Sequence, residues 1–219
     1  MKILLDQTIP LPGEADTRLR VLVGDVTDLL KDEIQAASLP LLSPQRRAKA
    51  EAYKFPRGRT LCIGVSRLLD MLLQDVGLRE KNMQYVEGEH GKPRFTDTVV
   101  GTGDFSLSHS GHLAAAALIN RPSAYRVGID VQHVTRYKPE IVRRVFTPEE
   151  CAAMAACTSE AAREALFTER WCRAEAFAKA TGRGLQLPAQ VPGSEAQFMM
   201  LQTGEPDYAG CICLLPANH

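Results

Sequence analysis

The chain has no excess of either charge: 26 Lys and Arg balance 26 Asp and Glu. A nucleic-acid-binding domain ordinarily carries a basic surplus, so nucleic acid is not an expected partner. Any basic site must be a local cluster, suited to a small anionic ligand. Long apolar runs are also missing. No stretch approaches the ~20 apolar residues that cross a bilayer, and no membrane partner is expected. The apolar run after Met1 is too short for a signal peptide, which predicts a cytoplasmic protein. The six cysteines are scattered, as expected of reduced, buried thiols. Cys211 and Cys213 form a C-x-C with no second Cys or His pair nearby, so a zinc site is not expected.

A real core is nevertheless present in the composition: 45% of the 219 residues are hydrophobic and 24% are charged. The pattern predicts a strand over 20–24 and a helix over 28–37. Ser43 and Pro44 form an N-cap and N1 pair opening a helix toward Lys54. Apolar spacing predicts a helix over 60–76, ended by Gly77. Strands are predicted over 85–87, 105–108, 113–119 and 128–134. Thr147 to Glu150 reads as a capping box. Ser159 caps a longer helix that Gly182 stops near Thr181. Two strands are expected in the tail, over 197–202 and 208–215. Ser110 to Ala116 faintly echoes Asp207 to Cys213, each a polar turn entering a strand of small residues. The expectation is an α+β protein of two related halves joined near 120–125.

Two segments carry chemistry. Val127, Ile129 and Val131 alternate with Gly128, Asp130 and Gln132, so Asp130 and Gln132 share one strand face. In the helix from Trp171 to Lys179, Glu175 and Lys179 stand one turn apart. A stripe about 140° wide holds Leu166, Phe167, Trp171, Ala174, Phe177 and Ala178, with Glu175 and Lys179 at its margin. Strand carboxylate, neighbouring amide and helical Glu–Lys pair can meet at a hard divalent cation and a phosphate. Taken alone, the pair is more readily an ordinary solvated i,i+4 contact.

The order of segments adds specificity. Gly91-Lys92-Pro93 precedes Ser106-Leu107-Ser108-His109-Ser110-Gly111, then Val127-Gly128-Ile129-Asp130 and Phe146-Thr147-Pro148-Glu149-Glu150. Trp171-x-x-x-Glu175-Ala176-x-x-Lys179 and Gly182-Arg183-Gly184-Leu185 follow. From Ser43 to Leu187 the chain resembles the 4′-phosphopantetheinyl transferases of the two-lobed, surfactin-synthetase-activating type. That resemblance implies a pseudo-twofold pair of similar α/β lobes, 1–122 and 123–219, each a small mainly antiparallel sheet with a packed long helix. It implies transfer of the 4′-phosphopantetheine arm of coenzyme A to a serine of an apo acyl or peptidyl carrier protein, with release of adenosine 3′,5′-bisphosphate, by a monomer. It assigns a Mg2+ ion, with Mn2+ as an alternative, to Asp130 and Glu175, and gives Glu175 the serine proton and Lys179 the phosphate. It gives coenzyme binding to Arg46, Lys49, Arg59, Thr60, Lys92, Ser108 and His109.

Two positions depart from the family pattern. Gln132 stands where a second acidic residue is usual, and an amide oxygen can ligate Mg2+ without adding charge. Ala174 replaces a lysine, and Arg170 one turn earlier is expected to compensate by pairing with a carboxylate near the metal cluster. A serine hydrolase is a poor alternative, since adjacent Ser108 and His109 form no triad and no G-x-S-x-G elbow is present. A degenerate protein that binds coenzyme A or a carrier without turnover is the better alternative.

Overall fold

The computed structural model describes residues 1–96, 101–185 and 193–217; Leu187, where the resembling stretch ends, lies outside them. Strands β1 (Lys2–Leu11), β2 (Glu14–Asp25), β5 (Phe105–Ser110) and β6 (Leu113–Ile119) form an antiparallel sheet in the order β1-β2-β6-β5. Short β3 (Tyr85–Glu87) and β4 (Pro93–Phe95) pair separately. A second antiparallel sheet orders β7 (Tyr125–His133), β9 (Tyr208–Pro216) and β8 (Gln197–Met200) as β7-β9-β8. The helices are α1 (Asp32–Ser38), α2 (Pro44–Ala52), α3 (Pro56–Gln74), α4 (Pro139–Val145), α5 (Pro148–Ala155) and α6 (Glu160–Thr181).

The protein is therefore α+β, with two small antiparallel sheets that each carry one long helix. Helix α3 buries Ile63, Leu68, Leu69, Leu72 and Leu73 against the first sheet, beside Leu22, Phe105 and Ala116. Helix α6 lies on the second sheet, where Cys172, Ala176 and Ala180 meet Cys211, Cys213 and Leu215. Strands β6 and β9, which follow the two echoing turns, are each flanked by strands on both sides.

Helix ends follow the sequence closely. Ser43 Oγ accepts from Arg46 N at the start of α2. Thr147 and Glu150 complete the capping box of α5. Ser159 Oγ accepts from Ala162 N, and Gly182 closes α6 at φ 70°. Four elements differ from expectation, one of them β4, where no strand was expected. β1 was not expected; it is an edge strand whose face is mostly exposed, so it lacks the alternation that marks a half-buried strand. The helix expected over 28–37 is a 3-10 turn followed by α1. Short α4 buries only Val142 and Val145, too few positions for a helical period.

The sheets join through side chains. Strand β7 pairs with β9 along one edge, and its other edge runs beside β5. There the backbone N–H groups of Val127, Ile129, Val131 and His133 donate to Asp104 Oδ2, Ser106 Oγ, Ser108 Oγ and Ser110 Oγ at 2.8, 3.0, 3.2 and 3.1 Å. Each rung spans 23 residues, so the two segments run parallel. A strand edge that would otherwise hold unpaired donors is thus satisfied rung by rung.

Candidate active site

Gly128 sets the closeness of α6 to β7. A Cβ there would come within 1.8 Å of the Ala176 carbonyl oxygen and 2.6 Å of Ala180 N. Helix α6 therefore rests on β7 through its small residues. Of the expected apolar stripe, Phe167, Phe177 and Ala178 are buried, whereas Leu166, Trp171 and Ala174 are only half-buried; Cys172, Ala176 and Ala180, outside the stripe, are fully covered. The large side chains serve a neighbouring cluster, where Phe167 meets Val142, Phe146 and Met154. Apolar size found part of the buried face but not the small residues that allow the backbones to approach.

That close approach brings Lys179 to Asp130. Lys179 Nζ donates to Asp130 Oδ1 at 2.7 Å, to Ile129 O at 3.0 Å and to Ser108 Oγ at 3.1 Å. The Ser108 hydroxyl donates to the same Asp130 Oδ1 at 2.7 Å. Asp130 Oδ2 is buried with no hydrogen-bond partner among the described residues. Asp130 is only 5% exposed. Glu175 is half-buried; burial, and then the Asp130 charge, raise its carboxyl above the ordinary range, partly offset by Lys179.

A cavity of 540 Å³ opens over this cluster. Asp130, Gln132, Glu175 and Lys179 line it from the second half, and Arg46, Lys49, Ser108 and His109 from the first. Arg46 is 9% exposed and lies 5.3 Å over the Tyr85 ring, with its Nη2 unpartnered among the described residues. A desolvated cation held on an aromatic face is ready for an anion. Lys49 is exposed and only loosely paired to Glu87 at 3.7 Å. His109 stands at the rim; the protein around its ring, and then the Lys179 charge, lower its pKa and favour the neutral imidazole.

Three other residues expected to contact the coenzyme do not line this cavity. Thr60 is buried, accepts from Gln35 Nε2 at 2.8 Å, and lines a separate 200 Å³ hollow beside Val26 and Leu61. Arg59 does not line the 540 Å³ cavity, and its Nε is buried without a partner among the described residues. Lys92 is tied down by Asp104 Oδ2 at 2.5 Å and Val127 O at 2.9 Å, facing an adjoining 240 Å³ cavity. Burial lowers its pKa, and Asp104 counters that. Arg170 does not make the expected carboxylate pair: its Nε is buried with no hydrogen-bond partner among the described residues.

Sequence reasoning missed the supports of the anion-binding wall. Glu80 is fully buried and accepts from Ser43 N at 2.7 Å, Ser43 Oγ at 2.8 Å and Tyr85 Oη at 2.8 Å. This fixes both the start of α2 and the ring beneath Arg46. A lone Glu in a polar stretch gave no sign of it. Tyr85 lies in the strand predicted over 85–87, and its ring meets Phe95 and Phe105.

Known proteins share this site-bearing region. The family model described as the 4′-phosphopantetheinyl transferase superfamily matches residues 126–208, from β7 through α6 to the start of β9. A Synechocystis sp. protein assigned as a 4′-phosphopantetheinyl transferase is 30% identical over 149 residues, 66% of this chain and 58% of that one. The 4′-phosphopantetheinyl transferase Sfp of Bacillus subtilis is 27% identical over 161 residues, covering 73% of this chain and 68% of Sfp. HetI of Nostoc sp., named for the same transferase activity, is 27% identical over 174 residues, with 72% of each covered. The chain thus spans between 58% and 72% of these relatives' lengths. Asp130, Glu175 and Lys179 all lie inside the region that matches the 4′-phosphopantetheinyl transferase superfamily model.

Proposed function

We propose that the protein transfers the 4′-phosphopantetheine arm of coenzyme A to a serine of an apo acyl or peptidyl carrier protein and releases adenosine 3′,5′-bisphosphate. One observation carries this reading: a single cavity joins the cations Arg46 and Lys49 to the cluster of Asp130, Glu175 and Lys179. That arrangement suits an extended ligand bearing a phosphate at one end and a reacting pyrophosphate at the other. The two lobes are proposed as 1–122, supplying most of the coenzyme contacts, and 123–219, supplying the reactive cluster.

A Mg2+ ion suits the residues present. Asp130 Oδ2 is a buried carboxylate oxygen with no partner among the described residues, and Glu175 and Gln132 add oxygen donors to the same cavity wall. Asp130 and Glu175 would hold the ion, with Gln132 as a neutral or water-mediated donor; Mg2+ accepts water-rich shells. When bound, it offsets charge that develops on the pyrophosphate.

The chain's own residues supply the rest. The serine hydroxyl attacks the phosphorus that carries the pantetheine arm. A new P–O bond forms there, and the bond to the bridging pyrophosphate oxygen breaks. Its electrons leave on adenosine 3′,5′-bisphosphate. Glu175, in its ionised form, takes the serine proton. Lys179 holds positive charge at the wall where the leaving oxygen becomes negative. Arg46 and Lys49, with His109 at the rim, anchor the nucleotide end.

The test is incubation with coenzyme A, Mg2+ and a panel of apo carrier proteins, reading intact mass. Gain of one phosphopantetheine by a carrier confirms the activity and identifies the partner. Tight coenzyme A binding with no carrier modified would instead make the protein a non-catalytic binder.

A further inference from the structure

We infer that Ser108 is a positioning residue: it occupies one oxygen of Asp130 and so commits the other to the cation. The inference rests on the proposed reading of Asp130 as a metal ligand. A hydroxyl has one proton to donate and two lone pairs to accept with. The Ser108 proton goes to Asp130 Oδ1 at 2.7 Å. Its lone pairs accept from Val131 N at 3.2 Å and Lys179 Nζ at 3.1 Å. The group is saturated and 6% exposed, with no donor left for a coenzyme phosphate.

The consequence falls on Asp130. Oδ1 receives the Ser108 hydroxyl and the Lys179 ammonium, both at 2.7 Å. Oδ2 has no hydrogen-bond partner among the described residues, although the buried Cys172 thiol lies against the carboxylate. Both carboxylate oxygens are chemically alike, so the protein itself must decide which is kept for a cation. Ser108 does so from a strand whose place is fixed by the rungs on either side of it. Freed of this bond, the Asp130 carboxylate can turn and let Lys179 approach either oxygen, competing with a metal ion.

The ladder provides its own controls. Ser106 and Ser110 accept from β7 N–H groups at 3.0 and 3.1 Å, as Ser108 does at 3.2 Å, but no bond joins either to Asp130 among the described residues. Removing any of the three hydroxyls loses one rung; only Ser108→Ala also releases Asp130. The experiment measures Mn2+ binding by the electron paramagnetic resonance of free Mn2+, at saturating coenzyme A, for the unaltered protein, Ser106→Ala, Ser108→Ala and Ser110→Ala. All three variants should melt at lower temperature. Mn2+ affinity should fall at least tenfold in Ser108→Ala and by less than twofold in the other two. Coenzyme A affinity in chelator should stay within twofold throughout. Ser108→Cys retains a weak donor of similar size and should fall between, which keeps the test decisive if Ser108→Ala does not fold. Equal Mn2+ affinity in Ser108→Ala and Ser106→Ala overturns the inference. A coenzyme A loss confined to Ser108→Ala in chelator overturns it too, since Ser108 would then be a ligand contact. Absence of Mn2+ binding by the unaltered protein removes the proposed metal site and this inference together.

Discussion

Gly128 and Ala176 touch backbone to backbone: a methyl group on Gly128 would lie 1.8 Å from the Ala176 carbonyl oxygen. Neither partner can yield by rotating a side chain. Gly128→Ala must therefore lift α6 from β7 and carry Glu175 and Lys179 away from Asp130. Overpacking of this kind typically costs about 1–3 kcal/mol, and a backbone clash belongs at or beyond the upper end. The variant should unfold at clearly lower urea concentration and lose most transferase activity. An unchanged urea midpoint would show that the helix can sit elsewhere without cost.

Asp130→Asn keeps the shape of the side chain and removes its charge. It should lower transfer by well over tenfold, more than ~1.4 kcal/mol of transition-state stabilisation. Asp130 is 5% exposed and bonded to Lys179 and Ser108, both at 2.7 Å, in the wall of the cavity, so its side chain also holds the two halves together. Some loss of stability should accompany the loss of activity. Circular dichroism must therefore show a folded variant before the kinetics are read. A folded Asp130→Asn with more than a tenth of the activity would refute its proposed role.

Gln132 lines the cavity beside Asp130 and Glu175. Gln132→Glu adds a charged oxygen donor where an amide now stands. The Mg2+ concentration needed for half-maximal transfer should fall several-fold, with turnover at saturating Mg2+ preserved. Complete inactivation of a folded variant would mean that the site requires a neutral group there.

Glu175 supplies a pH signature in the metal-free protein. Burial, and then Asp130, raise its folded pKa above the ordinary carboxylate value of 4.5. The folded state thus binds this proton more tightly than the unfolded state does. Its stabilising contribution is complete below the unfolded value and is lost as pH rises through the folded one. Glu175→Gln removes that loss. In chelator, the variant should exceed the unaltered protein in melting temperature at pH 8, and the gap should close near pH 4. A gap independent of pH would show that Glu175 is not strained by ionisation.

Local signals were legible where one residue type has one physical use. The Ser159 cap and the left-handed Gly182 bracket α6 because few other residues suit those positions. The pairing of Asp130 with Lys179 was less visible. Each lies on a readable face, but their contact depends on Gly128 and on the small residues Ala176 and Ala180, whose importance lies in the side chain they lack. Ser108 shows a further limit. Alternation says that Ser106, Ser108 and Ser110 share a face, and the family resemblance marked Ser108 as a coenzyme contact. Nothing local reveals that a second strand's edge lies against it.

The ladder between β5 and β7 also divides the freedom to change unequally. Every rung takes a side chain from β5 or Asp104 and only a backbone amide from β7. Any residue except proline offers that amide. The joint itself therefore needs particular side chains from one partner and only backbone from the other. A position such as 132, which is not a rung, can then change while the two halves stay fastened, whereas drift at 104, 106, 108 or 110 undoes the seam itself.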